Sequence, residues 1–185
     1  MSKKNRLYST PAKRVPQQAQ RSKIPPKTMA IISVCAIILG IFITAHDYLE
    51  KHTAAAVAAQ EKTAESLSGL AQIIPDYVQA YPSSDSAWTE KLTAASDDLC
   101  SDSISLQSEA YRTVKTCYKS LSEDSSYVST DMDKTLKDAL AAAEDAAVAY
   151  NKEARAVNDK VGKFPYNIVA KIAGYTECPV FVLNE

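Results

Sequence analysis

The most informative part of this sequence is Met29-Ala-Ile-Ile-Ser-Val-Cys-Ala-Ile-Ile-Leu-Gly-Ile-Phe-Ile-Thr-Ala45, 17 residues without a charged side chain. As a helix with a rise of about 1.5 Å per residue it is roughly 26 Å long, close to the ~30 Å hydrocarbon core of a bilayer. The rest of the chain is too polar to enclose a helix that is apolar on all sides. The pattern therefore predicts one transmembrane helix over residues 29–45.

Two other interpretations of this stretch are a cleaved signal peptide and a lipid anchor on Cys35. A signal peptide has small residues three and one positions before a cleavage site soon after the apolar run. Ile43 and Ala45 fit that pattern poorly, and a basic lead of 28 residues is long for it. Cys35 follows the bulky Val34 and too few apolar residues. A retained span explains the stretch better than either.

Charge differs in sign on the two sides of the span. Residues 1–28 carry eight Lys and Arg and no acidic residue, whereas residues 46–185 carry 13 basic and 22 acidic residues. Lys and Arg close to a span are retained in the cytoplasm. Residues 1–28 are therefore predicted to be a disordered cytoplasmic tail, and the larger domain is predicted to be extracytoplasmic. Tyr8 is the tail's only aromatic residue, so its basic run favours contact with anionic headgroups over nucleic-acid binding.

Beyond the span, small and apolar side chains recur at alternating steps of three and four, which predicts helices. One such seam runs from residue 49 to 77, with a kink or break expected at Pro75. Another runs from residue 132 to 161 and ends at Gly162, and alanine dominates its middle. A seam rich in alanine lets helix axes approach closely, which leaves little room for a ligand cavity.

The sequence does not decide the number of helices between these seams. Residues 86–121 keep almost the same register throughout, so they form either one helix or two, with Ser101-Asp102-Ser103 as the stop of the first and the N-cap of the second. Residues 122–127 read as a loop, and residues 180–183 look like a strand. The predicted fold is all-α: the transmembrane helix, then an up-and-down antiparallel four-helix bundle over residues 46–175 (three long helices being the alternative), then a tail over residues 176–185.

Three segments resemble one family. They are Ile73-Ile-Pro75-Asp76, Ala149-Tyr150-Asn151 and Lys163-Phe-Pro-Tyr-Asn-Ile-Val-Ala-Lys-Ile-Ala-Gly-Tyr175. In these places the chain is similar to the LemA family of bacterial membrane proteins. The resemblance implies a four-helix bundle behind one membrane anchor, with no established molecular activity. The signature positions are Pro75, Tyr150, Asn151, Phe164, Pro165, Tyr166, Ile168 and Gly174.

The closing segment of the signature has two interpretations. In the first, residues 164–168 and Ile172 turn the chain and lay a short amphipathic helix over the end of the bundle. Tyr150 and Asn151 then anchor that end by hydrogen bonds. In the second, the same residues are a docking site for a partner protein. The first interpretation is favoured.

The chain offers little chemistry. Its two histidines, His46 and His52, are six residues apart and so leave the helix in different directions, unlike a metal-binding pair at i and i+4. A hydrolase triad needs a histidine in a cleft, and none follows residue 52. Asp131 and Asp133 suit the start of a helix without any cation. We therefore expect no enzyme activity, catalytic residue, metal or cofactor.

Three cysteines lie in the extracytoplasmic domain, where disulfides form. Cys100 and Cys117 are too far apart to pair, in one helix or in a hairpin. Cys178 lies on the tail, so Cys100–Cys178 is the candidate disulfide, with reduced buried thiols or a cross-linked dimer as alternatives.

The predicted function is a non-catalytic interaction or structural module of the cell envelope. Its expected partners are the lipid bilayer, an unidentified envelope protein or a second copy of the chain, and not nucleic acid. The alternative is a membrane-proximal bundle that senses a small ligand. A cytoplasmic tail of 28 residues is too short to be the output domain of such a sensor.

Overall fold

A computed structural model describes residues 25–80, 86–123 and 131–184. In these residues the chain forms five helices and no strand, which confirms the predicted all-α class. The helices are α1 (Pro26–Ala80), α2 (Ser86–Leu99), α3 (Ile104–Ser122), α4 (Asp131–Val161) and α5 (Tyr166–Ala173). The chain divides into two compact units, Met1–Ile37 and Ile38–Glu185. In the first unit, the described residues 26–37 are helical and every side chain from 25 to 37 is exposed. The predicted loop at 122–127 lies largely outside the described residues.

The predicted span lies within α1, the one helix in the described residues that is long and apolar enough to cross a membrane. The side chains from residue 29 to 41 are exposed rather than packed in a core, whereas Phe42 is half-buried and Ala45 is buried. The two hydroxyl groups of the stretch are satisfied inside the helix. Ser33 Oγ donates to Met29 O at 3.0 Å, and Thr44 Oγ1 donates to Gly40 O at 2.9 Å. These hydroxyls therefore need no water, as apolar surroundings require.

Helices α1 and α4 are antiparallel neighbours in the second unit. His52 of α1 contacts Glu153 of α4 through Nδ1 and Oε2 at 2.6 Å. Further along, Tyr77 Oη donates to Asp133 Oδ1 at 3.3 Å. The contact nearer the start of α1 involves a residue nearer the end of α4, and the reverse holds for the other contact. The two helices therefore run in opposite directions.

Residues 86–121 form two helices, and the turn at residues 100–103 joins them as a hairpin. Burial raises the pKa of the Cys117 thiol, and the positive charge of Lys91 opposes this rise. In one continuous helix these residues would be roughly 39 Å apart, far beyond such an influence. Ser103 is the N-cap, as predicted, but its side chain makes no capping hydrogen bond. Its N–H instead donates to Ser101 Oγ at 3.1 Å.

Helix α1 runs through Pro75 without the predicted break. A proline has no N–H, so the carbonyl of Ala71, four residues earlier, loses its helical donor. Ser96 of α2 supplies a replacement, because its Oγ donates to Ala71 O at 3.0 Å. A tertiary hydrogen bond therefore satisfies the carbonyl that the proline leaves free.

The main core contains buried side chains from α1, α2, α3 and α4. Helix α4 contributes the seam that its sequence predicts, and it ends at Val161, directly before Gly162. Three of its buried positions are alanine. The buried apolar residues of α4 are Leu136, Leu140, Ala143, Ala147, Tyr150, Ala154 and Val157.

Residues 175–184 have no regular secondary structure, so the strand predicted at 180–183 does not form. The segment is nevertheless part of the packed domain, because Phe181 is buried in the main core. Side chains of α3 and α4 hold it, as described below.

Candidate functional site

Two asparagines of α4 bind the main chain of the C-terminal segment, which we define as residues 178–183. Asn158 Nδ2 donates to Cys178 O at 2.8 Å, and Cys178 N donates to Asn158 Oδ1 at 2.7 Å. Asn151 makes the same pair with Phe181, at 2.7 Å to its O and 2.8 Å from its N. Each amide thus replaces the partners that a neighbouring β-strand would give to an extended chain.

Two hydroxyl groups complete this arrangement. Ser108 Oγ on α3 donates to Val182 O at 2.8 Å and accepts from Val182 N at 2.9 Å. The Tyr150 hydroxyl donates to Pro179 O. Burial raises the pKa of Tyr150 to about 12, so the phenol remains a donor at neutral pH. The segment is therefore bound mainly through its backbone.

Phe181 is the one fully buried side chain of the segment. Its ring contacts the edge of Tyr111, with centroids 5.9 Å apart. The Tyr111 hydroxyl donates to Glu144 Oε2 at 2.9 Å, and Lys115 Nζ lies 2.8 Å from the same oxygen. Burial raises the pKa of Tyr111, and the hydrogen bond from Lys115 lowers the pKa of Glu144. The ring that contacts Phe181 therefore belongs to a neutral phenol that is held in place by an ionised carboxylate.

Sequence reasoning identified Tyr150 and Asn151 as an anchor, but not their partner. They hold the C-terminal segment rather than residues 164–172. Asn158 and Ser108 were missed. The signal available in the sequence was the spacing of seven between the two asparagines, which places both on one face of α4.

The second notable region is the end of the domain where α5 packs on α1. Val169 and Ala170 of α5 are buried against Ala45, Leu49 and Val157, which form a small core separate from the main one. Residues 42–49 of α1 thus lie beside α5. Pro165 is the N-cap of α5, and Gly174 is its C-cap.

The apolar face of α5 next to these buried residues is exposed, which corrects the expectation that the signature residues all pack on the bundle. Phe164 is 75% exposed, Ile168 37% and Ile172 81%, whereas Tyr166 is half-buried beside Tyr48. Residues four apart share a helix face, so Ile168 and Ile172 form an apolar stripe with Phe164 just before the helix. Packing on the bundle therefore does not account for these three side chains.

A groove of about 380 Å³ joins this stripe to α1. Phe42 and Ile43 line one side, and Val169, Ile172 and Ala173 line the other. His46 and Asp47 also line it, at the point where α1 becomes polar.

His46 has two carboxylate neighbours on its own helix. Its Nδ1 lies 3.8 Å from Asp47 Oδ1 and 3.6 Å from Glu50 Oε2, and all three side chains are exposed. Their ligand atoms are close enough to share a cation. A His–Glu contact at i and i+4 is also an ordinary pairing on a helix surface. The sequence analysis missed Glu50, and His52 lies elsewhere, against Glu153.

Asp133 and the cysteines were the remaining candidates for a cation site or a disulfide. Asp133 is buried and accepts a hydrogen bond from Tyr77. The four cysteines, all in described residues, are free thiols, so the candidate disulfide between Cys100 and Cys178 is not formed. Burial raises the pKa of Cys178, which keeps that thiol protonated at neutral pH.

A second, open groove of about 680 Å³ lies between α1 and α4. Alanines line much of it, among them Ala58 and Ala149, and Lys62, Glu65 and Lys152 provide charge. A small charged molecule or a partner helix would find both apolar and charged surface in this groove.

The comparisons identify no relative. No family model, curated protein or solved structure matches this chain.

Proposed function

We propose that this chain is a LemA-like single-pass membrane protein whose helical domain is a non-catalytic interaction or structural module of the cell envelope. The observation that carries the proposal is the continuity of α1. One helix contains both the exposed apolar stretch from residue 29 to 41 and the buried positions from Ala45 to Tyr77. An exposed apolar helix is costly in water and favoured in a bilayer.

The helical domain in this proposal is an up-and-down four-helix bundle made of α1 to α4. The antiparallel α1–α4 pair and the α2–α3 hairpin support it. So does the pairing of α3 with α4, because Tyr111 meets Glu144 while the charge of Asp133 reaches Tyr118. Helices joined in this order by short connections are typical of such bundles.

A non-catalytic role is supported by what the ionisable groups do. His52 is paired with Glu153, and Glu144 is held by Lys115 and Tyr111. These contacts tie one helix to another. In this proposal, the role of these charged groups is to hold helices together.

Topology follows the charge asymmetry, with residues 1–28 in the cytoplasm and the bundle outside. Cys100 is exposed and therefore serves as a native probe for a thiol reagent that cannot cross the membrane. In intact, mildly reduced cells we expect Cys100 to be modified. A Ser9→Cys probe in a Cys100→Ser background should react only after lysis. The reverse pattern would overturn the topology, and release of the protein by alkaline carbonate would overturn the membrane anchor.

The interaction role is tested in the groove between α1 and α4. A photo-crosslinking amino acid at Ala58 or Ala149 should capture a partner protein or a second copy in living cells. The same amino acid at the exposed Ala142 is the control. Equal yields at all three positions, or none, would remove the groove as an interaction surface.

The alternative function, small-ligand sensing, would use the same groove. A metabolite that binds there would raise the melting temperature of the purified protein with its concentration. Lys62→Ala and Lys152→Ala should abolish that rise if the ligand is an anion. A metabolite screen without any such rise would leave the interaction role as the supported one.

A further inference from the structure

The apolar surface of helix α5 is wider than the face that packs on the domain. Val169 and Ala170 point into the small core, while Ile168 and Ile172 point away from it. Among its eight residues only Asn167 and Lys171 carry strongly polar side chains. The apolar surface of an amphipathic helix is expected to be covered by protein or lipid, and the polar face of α5, with Asn167 and Lys171, to face water. The domain covers only part of the apolar surface of α5, so the rest of it calls for a second apolar environment.

The position of α5 indicates which environment that is. Its inner face packs on Ala45 and Leu49, at the end of the apolar stretch of α1. Its outer stripe continues into the exposed apolar surface of α1, because Ile172 and Ile43 line the same groove. His46 and Asp47 also line this groove, so Ile172 extends the apolar surface to the level where α1 has become polar. The apolar stretch of roughly 26 Å is slightly shorter than a ~30 Å hydrocarbon core, and this extension compensates for the difference.

The charges beside the stripe fit a lipid surface. Lys163 precedes Phe164, and Lys171 lies next to Ile168 on the helix, and both lysines are exposed. Within the described part of the chain, neither lysine forms an ion pair with a carboxylate. Lysines at the edge of an apolar helix face are typical of helices that lie in the headgroup region.

From this placement we infer that α5 is an interfacial membrane helix. Phe164, Ile168 and Ile172 enter the boundary between headgroups and acyl chains, and Lys163 and Lys171 contact anionic headgroups. The inference rests on the proposed membrane anchor and adds a second, lateral contact with the same bilayer. It assigns the exposed signature residues to lipid rather than to a partner protein or a second copy.

The test uses the full chain reconstituted in lipid vesicles with brominated acyl chains, which quench tryptophan. Trp88 is the only native tryptophan, so Trp88→Phe gives a silent background. Single tryptophans are then placed by Ile172→Trp, Phe164→Trp, Ile38→Trp in the span, and Leu106→Trp. Leu106, 45% exposed on α3, is the matched control for an exposed apolar position away from α5.

We expect Ile172→Trp and Phe164→Trp to show roughly half or more of the quenching of Ile38→Trp, as an interfacial depth of about 5–10 Å predicts. Leu106→Trp should show almost none. If Ile38→Trp is quenched while Ile172→Trp behaves like Leu106→Trp, the inference is wrong and the membrane anchor stands. If Ile38→Trp is not quenched either, the proposed anchor itself fails. A blue-shifted but unquenched Ile172→Trp would show that protein covers this face and would also overturn the inference.

The lysines are tested by vesicle composition. Lys163→Gln with Lys171→Gln should reduce the quenching of Ile172→Trp in vesicles that contain phosphatidylglycerol. The same pair should have little effect in phosphatidylcholine alone. An equal reduction in both lipids would overturn the assigned role of the lysines.

Discussion

Asn151→Ala is expected to release the C-terminal segment while the helices stay folded. The substitution removes two hydrogen bonds to Phe181, of 2.7 and 2.8 Å, at a side chain that is only 6% exposed. A buried hydrogen bond contributes about 1 kcal/mol net, and each unpaired group left behind costs about 1–3 kcal/mol more. The C-terminal segment can detach from α3 and α4 so that water hydrates these groups, which limits the loss of stability to about 2–3 kcal/mol.

Hydrogen exchange measures this release directly. The amides of Phe181 and Val182 are held by side chains and not by a helix, so their protection reports only on the docked segment. A loss of about 2–3 kcal/mol accelerates exchange by roughly 30- to 150-fold, since 1.4 kcal/mol is a factor of ten. The assay is mass spectrometry of the C-terminal peptide from the full chain in detergent. Asn158→Ala is the matched control, because the same amide pair at a half-buried position should give a smaller acceleration.

Asn151→Asp adds a dependence on pH. One carboxylate oxygen replaces Oδ1, but the other faces the Phe181 carbonyl where the amide N–H₂ stood. Burial and this repulsion raise the pKa of the introduced carboxyl above the usual value of about 3.9. A raised folded-state pKa means stability that is present below the unfolded pKa and is lost as pH rises through the folded one. The Phe181 and Val182 amides of this variant should therefore exchange rapidly at neutral pH and regain protection towards pH ~4. Unchanged exchange in Asn151→Ala, or no recovery in acid, would refute this account.

Three further substitutions test the fold. The pKa of Glu144 is lowered by its hydrogen bond from Lys115, so the stability it contributes is present above its ordinary pKa of 4.5 and lost as pH falls through the lower folded value. The difference in melting temperature between wild type and Glu144→Gln should accordingly close below pH 4.5. Gly174 has φ 81° and an added Cβ would meet no atom within 4 Å, so Gly174→Ala should cost about 1–2 kcal/mol of backbone strain by chemical denaturation. Ala143→Leu should destabilise the packed core by about 1–3 kcal/mol or more, whereas Ala142→Leu at an exposed position should not.

Sequence periodicity was sufficient where structure is local. Helix α4 follows its seam closely, because each buried position depends on neighbours three or four residues away. The same logic could not divide residues 86–121. The two helices of the hairpin keep one register across the turn, so the pattern contains no sign of the reversal.

The sequence pattern does not predict contacts between residues that are far apart in the chain. The sequence shows that Pro75 lacks a donor, but not that Ser96 satisfies the Ala71 carbonyl 25 residues away from it. Residues 180–183 read as a strand because valine and phenylalanine favour strands. Their partners, however, are side chains, and Ser108 is 74 residues from Val182. The outward face of α5 was misjudged for a related reason: apolar residues were assumed to pack on protein.

The two candidate surfaces are linked through the short connection between α5 and the C-terminal segment. An isolated helix shorter than ~12–15 residues is marginal in water, so the eight residues of α5 need support at both ends. Gly174 caps α5, and Asn158 binds Cys178 only four residues later. Cys178 also packs against both cores, which places it between the segment and α5. Loss of the Asn158 pair should therefore loosen α5 as well as the segment, whereas loss of the Asn151 pair, further along the chain, should leave α5 in place.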